Sequence, residues 1–308
     1  MQLVNECFNK VKKDYLNFLT REKIYNKSIS AHNKNLKKIY IPIAFWINNK
    51  WKKKGKTLLV GLSASQGSGK TTVAAILSII LKIFFKRNTC VISIDDFYKT
   101  LSDRKKMAEN KHLLFKTRGV PGTHDIGLIK NFFAATKKKK FKKIKLPKFN
   151  KSIDDRLKKN NWHNIKKKPE IVILEGWCVG AKAKSNSSLQ KPINFLEKNE
   201  DKNLIWRKFV NDRLKKEYKS VFAMIDHFIF MKVPNFKMVF KWRLLQENKL
   251  RKKSHSKKRI MSYNKVKRFI MFYERITLQM IKDLSKSASI VMSLKKNHEI
   301  KKVLFRSL

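Results

Sequence analysis

Gly67, Gly69, Lys70 and Thr71 fall within Gly61-Leu-Ser-Ala-Ser-Gln-Gly-Ser-Gly-Lys-Thr-Thr72, and residues of these types at this spacing can grip a chain of phosphates. Successive backbone N–H groups of a tight loop, with the positive end of the helix that follows, form a concavity for phosphate oxygens. Ser65, Gln66, Gly67, Ser68, Gly69, Lys70, Thr71 and Thr72 would line it. Lys70 adds a mobile cation, and the Thr71 hydroxyl falls where it can ligate Mg2+ between the β- and γ-phosphates of ATP. The usual template has a first glycine where this chain has Ala64; Gly67 and Gly69 can supply the flexibility instead. A glycine-rich turn without any ligand is the competing reading.

Three carboxylates end apolar runs: Asp95 and Asp96 after Thr89–Ile94, and Glu175 after Glu170–Leu174. Phosphoryl transfer to an alcohol needs an acceptor for the hydroxyl proton, a role assigned to Asp95. Asp96 is expected in metal-water or structural support, and Glu175 as the carboxylate that orients Mg2+. A helix N-cap pair and a solvated strand-end acid are the plainer alternatives. Arg118, His124, Asp125, Lys151 and Arg156 occupy two glycine- or proline-marked loops able to close over a small acid, although loop cations are often only solvated. Arg243, within Trp242-Arg-Leu-Leu-Gln-Glu247, is placed as a lid arginine for the transferring phosphoryl group, or else as a helix-surface residue. The stretch from Phe269 to Tyr273 reads as core more than as a base-stacking platform.

These groups need a scaffold of strands with helices between them. Thr57–Val60, Thr89–Ile94, Glu170–Leu174, a run from about Phe228 to Val233, and Ser289–Leu294 read as strands. Helical patterns cover Val73–Phe85, 101–117, 126–136, 204–218, about 235–249 and 260–286. Residues 137–156 and 182–202 read as loops. The alternation predicts an α/β phosphate-loop NTPase fold, three layers deep (α/β/α) with a mainly parallel sheet. Residues 1–56 read as a basic N-terminal helical extension, and residues 57–308 as the kinase domain. In open parallel sheets ligands lie outside the carboxyl ends of the strands, where the phosphate loop, Asp95-Asp96 and Glu175 all fall.

The formal net charge of +52 would ordinarily point to nucleic acid or an anionic membrane. However, 61 of the 74 basic residues are lysines scattered along the whole chain, which reads as a solvated surface; a selected polyanion-binding face is the alternative. Cys7, Cys90 and Cys178 follow no metal-ligand pattern and read as small buried hydrophobes in a reducing compartment. Val73–Phe85 is too short to span a bilayer, and Met1–Tyr15 lacks a signal-peptide core, so no membrane partner is expected and a cytoplasmic setting is.

Several motifs together resemble one known family: residues 61–72, Ser-Ile-Asp-Asp-Phe-Tyr (93–98), Arg-Gly-Val-Pro-Gly-Thr-His-Asp (118–125), Leu-Pro-Lys-Phe-Asn-Lys-Ser (146–152) with Asp155-Arg156, Ile-Leu-Glu-Gly-Trp-Cys-Val-Gly (173–180) and residues 242–247. The chain resembles the P-loop glycerate kinases of plant and cyanobacterial type and their bacterial kinase relatives. These lie within the wider group that holds uridine kinase, phosphoribulokinase and bacterial pantothenate kinase. The likeness runs over most of residues 40–280 and implies ATP- and Mg2+-dependent phosphorylation of D-glycerate to 3-phosphoglycerate. Alanine at position 64 is ordinary in that family. Asn150 departs from it, standing where relatives tend to carry aspartate, and so bears on the acceptor and not on the donor. A uridine- or pantothenate-like acceptor and a nucleic-acid-binding NTPase remain as alternatives, the second resting on the basic segment Lys249–Arg259.

Overall fold

The computed structural model describes residues 2–24, 28–253 and 261–306. Helices α1 (Gln2–Arg21), α2 (Ile29–Asn35) and α3 (Ile41–Lys54) come first, with a π-helical turn over Leu36–Tyr40 between the last two. That turn precedes Pro42, which has no N–H to give to the preceding turn, so the backbone widens there and the helix continues. Strand β1 (Leu58–Ala64), α4 (Lys70–Ile83), β2 (Thr89–Ser93), α5 (Leu101–Asn110) and α6 (Ile126–Lys137) follow. Four short strands come next, β3 (Ile144–Leu146), β4 (Phe149–Asn150), β5 (Asp155–Arg156) and β6 (His163–Ile165), pairing β3 with β6 and β4 with β5. Then come β7 (Ile171–Gly176), α7 (Ser187–Gln190), α8 (Phe195–Glu200), α9 (Ile205–Arg213), α10 (Lys219–Phe222) and β8 (His227–Lys232). The chain closes with α11 (Phe236–Lys253), α12 (Tyr263–Ser287), β9 (Ile290–Leu294) and β10 (Ile300–Phe305).

The six-stranded sheet runs β10-β9-β8-β1-β7-β2, parallel except for β10 against β9. This is the mainly parallel α/β architecture the sequence predicts. β1 and β7 are buried at every position, as strands covered on both faces must be. Alternation divides their side chains between two apolar layers. Leu58, Val60, Leu62 and Ala64 join α1, α3, α4 and Trp242, while Leu59 joins α6, α9 and α12. In α1, Cys7, Val11, Tyr15 and Phe18 recur every three or four residues and place one face of the helix in the first layer. The N-terminal helices therefore share the core that backs α4.

Boundaries differ from the sequence reading where local signals conflict. β1 extends through Gly61-Leu-Ser-Ala64, leaving only Ser65–Gly69 as the loop. The stretch 101–117 breaks after Asn110 into a separate 3-10 turn at Leu113–Lys116, and two short helices interrupt the expected loop 182–202. β10 carried no readable signal because it is nowhere fully buried and two of its residues are lysines. The basic segment Lys249–Arg259 enters α11, and its residues 254–259 lie outside the described residues. Among the described residues no helix is long and apolar enough to cross a membrane.

A Cβ placed on Gly61 would lie 2.8 Å from the Phe228 ring, which packs over the centre of β1. Gly61→Val is expected to lower unfolding stability by about 1–3 kcal/mol through overpacking, read as a reduced urea midpoint at unchanged m-value.

Candidate active site

β1 pairs with β7, which pairs with β2, so the carboxyl ends of these three strands deliver Lys70, Glu175 and Asp95 to one rim of the sheet. Gly67 and Gly69 have φ of 73° and 86°, left-handed values that glycine adopts without steric penalty. Ala64 is the buried last residue of β1, paired with Met231, so this loop needs no glycine there. Ser68 donates its hydroxyl to the Ser65 carbonyl at 2.7 Å and tightens the turn. Thr72 follows Thr71 in the first turn of α4. Ser65 Oγ and Gln66 Oε1 are buried without a hydrogen-bond partner in the protein, which is uncommon unless a ligand or ordered water completes the site.

Thr71 donates its hydroxyl to Glu175 Oε1 at 3.0 Å, and Lys70 Nζ lies 4.0 Å from Glu175 Oε2. Glu175 is 2% exposed, and its Oε2 accepts no hydrogen bond. A hydroxyl beside a carboxylate with an unsatisfied oxygen is an oxygen donor set of the kind a hard divalent cation takes, with phosphate and water completing it. Among the described residues no group of three His, Cys, Asp or Glu side chains could hold a metal alone. Asp96 Oδ1 accepts the Phe149 backbone N–H at 3.2 Å, which ties it to β4. Burial raises its pKa.

Asp95 lies at the entrance to a 3-10 turn that brings Tyr98 beneath it. The Tyr98 hydroxyl donates to Asp95 Oδ1 at 3.1 Å, and Lys151 Nζ donates to Oδ2 at 2.8 Å. Burial opposes ionisation of Asp95, but Lys151 and Lys70 outweigh it and hold the carboxyl well below the usual range. Behind Tyr98 lies His124, 1% exposed, its ring stacked on the tyrosine with centroids 4.5 Å apart. The Tyr218 hydroxyl accepts the Gly122 N–H at 3.0 Å and lies in hydrogen-bond contact with His124 Nδ1 at 2.7 Å. The other ring nitrogen, Nε2, is buried without a hydrogen-bond partner. Burial pushes the His124 pKa down to about 3.

The other expected acceptor ligands are engaged with the protein. Arg118 pairs with Asp154 and lies over the Phe149 ring, 5.3 Å from its centroid, while the buried Arg104 also reaches Asp154 at 3.2 Å. Arg156 donates to the Tyr98 carbonyl at 2.7 Å and reaches Asp125 at 3.4 Å. Arg156 and Asp125 thus tie the two loops together. Asn150 accepts from Ser152 N at 2.9 Å and shapes the turn that carries Lys151. Arg243 pairs with Glu247, donates to Gln246 at 3.0 Å and lies over Phe269, so its guanidinium is committed within and beside α11. Three contributors carried no sequence assignment. Tyr98 could have been read from its place three residues after Asp95, whereas Trp242 and His298 reach the phosphate loop only through tertiary packing.

Residues 59–239 match the Phosphoribulokinase / Uridine kinase family. The chain belongs to this family. It is 31% identical over 232 residues to an uncharacterized kinase of Schizosaccharomyces pombe, mug58, covering 72% of this chain and 80% of that protein. It is 29% identical over 229 residues to the chloroplastic D-glycerate 3-kinase of Arabidopsis thaliana, covering 69% of this chain and 48% of the plant protein, about half its length. The solved D-glycerate 3-kinase of Cryptococcus neoformans var. grubii matches in fold with a TM-score of 0.72 at 22% identity, over 87% of this chain and 99% of that one. The protein is therefore a kinase of the phosphate-loop type, a phosphotransferase that uses ATP.

His124 stays neutral in the fold down to about pH 3, whereas in the unfolded chain it takes up a proton near pH 6.5. The folded pKa is the lower one, so its contribution to stability is complete above about pH 6.5 and falls as the pH drops toward 3. His124→Phe should flatten the decline of the urea midpoint between about pH 7 and pH 4. An unchanged slope would mean that folded His124 takes up a proton in that range.

Proposed function

We propose that the protein transfers the γ-phosphoryl group of ATP to D-glycerate, giving 3-phosphoglycerate. The observation that carries this reading is the Asp95 carboxylate, held between the Tyr98 hydroxyl and Lys151 on the rim that also bears Lys70 and Glu175. It offers an acceptor hydroxyl a proton acceptor, and beside it an exposed lysine suited to an acid. The glycerate kinases among the relatives support the same acceptor.

The amides of Ser65–Gly69 and the Lys70 ammonium hold the β- and γ-phosphates. Thr71 and Glu175 would hold Mg2+, which neutralises charge between those phosphates. Asp95 accepts a hydrogen bond from the acceptor hydroxyl, aligns its oxygen with phosphorus and takes the proton as the new O–P bond forms. In a loose transition state that proton leaves late, so a carboxylate of low basicity serves. The acceptor's carboxylate takes Lys151 from Asp95, and the acceptor finds further partners in Arg118 and His124 Nε2. Asp125 and Arg156 keep those two loops together. Arg243 acts on the phosphoryl group only by exchanging Glu247 for it. The partners in this reading are small anions, which the positive surface gathers; polynucleotide and membrane have no part in it. Free cysteines at positions 7, 90 and 178 agree with the cytoplasmic setting the reading assigns.

Purified protein incubated with ATP, Mg2+ and D-glycerate should yield 3-phosphoglycerate by mass spectrometry and NMR, with uridine and pantothenate inert. Asp95→Asn should lower kcat by about 100-fold or more. Lys151→Ala should raise the glycerate KM roughly tenfold and leave the ATP KM unchanged. Turnover of uridine or pantothenate in place of glycerate would replace the proposed acceptor.

A further inference from the structure

Two residues beyond position 239, where the family match ends, meet the phosphate loop from one side. Nε2 of His298, in the turn between β9 and β10, lies 2.9 Å from the Gly67 carbonyl oxygen. The imidazole stacks on Trp242, with ring centroids 4.1 Å apart and planes inclined by 28°. Trp242 donates its indole N–H to the Lys296 carbonyl in the same turn at 2.9 Å. It also walls the loop, since a Cβ on Gly67 would lie 3.0 Å from the Trp242 Cβ. The turn is braced: Lys295 N donates to the Glu299 carbonyl at 2.7 Å, and His298 N to the Lys295 carbonyl at 3.2 Å. His298 itself has φ of 67°, a left-handed conformation that histidine adopts more readily than most side chains.

A carbonyl only accepts, so in this bond the imidazole donates from Nε2. The peptide unit between Gly67 and Ser68 is planar, with its C=O and N–H pointing in opposite directions. Holding the carbonyl toward His298 turns the Ser68 N–H the other way, where it donates to the Ser65 carbonyl at 3.4 Å, a long bond that a phosphate oxygen can replace. Gly67, like Gly69, has a backbone freer than that of the other residues of the loop. Released from His298, this peptide can turn over and present a carbonyl oxygen to the phosphates in place of a donor, replacing attraction by repulsion.

We propose that His298 is a positioning residue for nucleotide binding, fixing the Gly67–Ser68 peptide so that the Ser68 N–H faces the phosphates, with Trp242 keeping the imidazole in place. The proposal rests on the reading of Ser65–Thr72 as the phosphate site and is independent of the acceptor. It also gives β10 a purpose, because the antiparallel strand closes the turn that carries His298.

The test compares His298→Phe, which keeps a ring on Trp242 and loses the donor, with His298→Gln, which keeps a donor and loses the ring. MgATP affinity is measured by calorimetry, adenosine by competition, and folding by thermal midpoint. His298→Phe is expected to weaken MgATP about five- to tenfold, the effect of one lost hydrogen bond, with adenosine affinity, acceptor KM and midpoint unchanged. His298→Gln should stay within about twofold of wild type. Equal MgATP affinity in His298→Phe and wild type overturns the proposal. So does an equal loss for adenosine, which would make His298 a base contact, or an equal loss in both variants. If wild type itself takes up no MgATP, the phosphate-site reading falls, and this proposal with it.

Discussion

Lys70 stands between anions. Glu175 Oε2 lies 4.0 Å from its ammonium on one side, and on the other its charge helps keep Asp95 ionised. Two carboxylates and a triphosphate cannot share one rim without such a cation, because each raises the free energy of the others' charged forms. The surrounding architecture serves that arrangement. β1 and β7 are buried along their whole length, so the residues at their ends have little freedom to separate. α4 is covered by α1 and α3 and holds Lys70 and Thr71 against Glu175. A reaction that depends on charge placement needs this rigidity more than it needs reactive groups.

The acceptor side is built differently. Its loops are held by side chains reaching backward: Arg104 and Arg118 to Asp154, Arg156 to the Tyr98 carbonyl, Tyr218 to Gly122 and His124. Most cations in these loops are therefore already paired within the fold. Lys151, with 62% of its side chain exposed, is the most accessible of the expected acceptor-binding cations. The shape of these loops is thus set by ion pairs, and Lys151 beside Asp95 keeps the most solvent access.

The parallel sheet and the phosphate loop were legible in the sequence because both rest on local patterns. Apolar runs such as Ile171–Leu174 end in acids, and Gly67, Gly69 and Lys70 lie within four residues of one another. Glu175 was legible for the same reason. The partition of the loop cations was not, because Arg118 and Arg156 look alike until tertiary structure shows Asp154 near one and the Tyr98 carbonyl near the other. Arg243 followed the same course: its spacing to Glu247 was visible, but not the depth at which Glu247 is buried. His298 had no local mark at all, since its partner Gly67 lies 231 residues earlier.

β10 forms one outer margin of the sheet, and its far side meets no further strand among the described residues. Such a row of unpaired amides and carbonyls is a template for strand addition by another chain, and Leu304 and Phe305 are exposed along it. Lys301 and Lys302 on the same short strand are also exposed, and a second copy would bring like charges into register. Charge on an edge strand opposes such pairing, so neutralising those two ammonium groups, by acylation or by polyanions, would favour edge-to-edge aggregation.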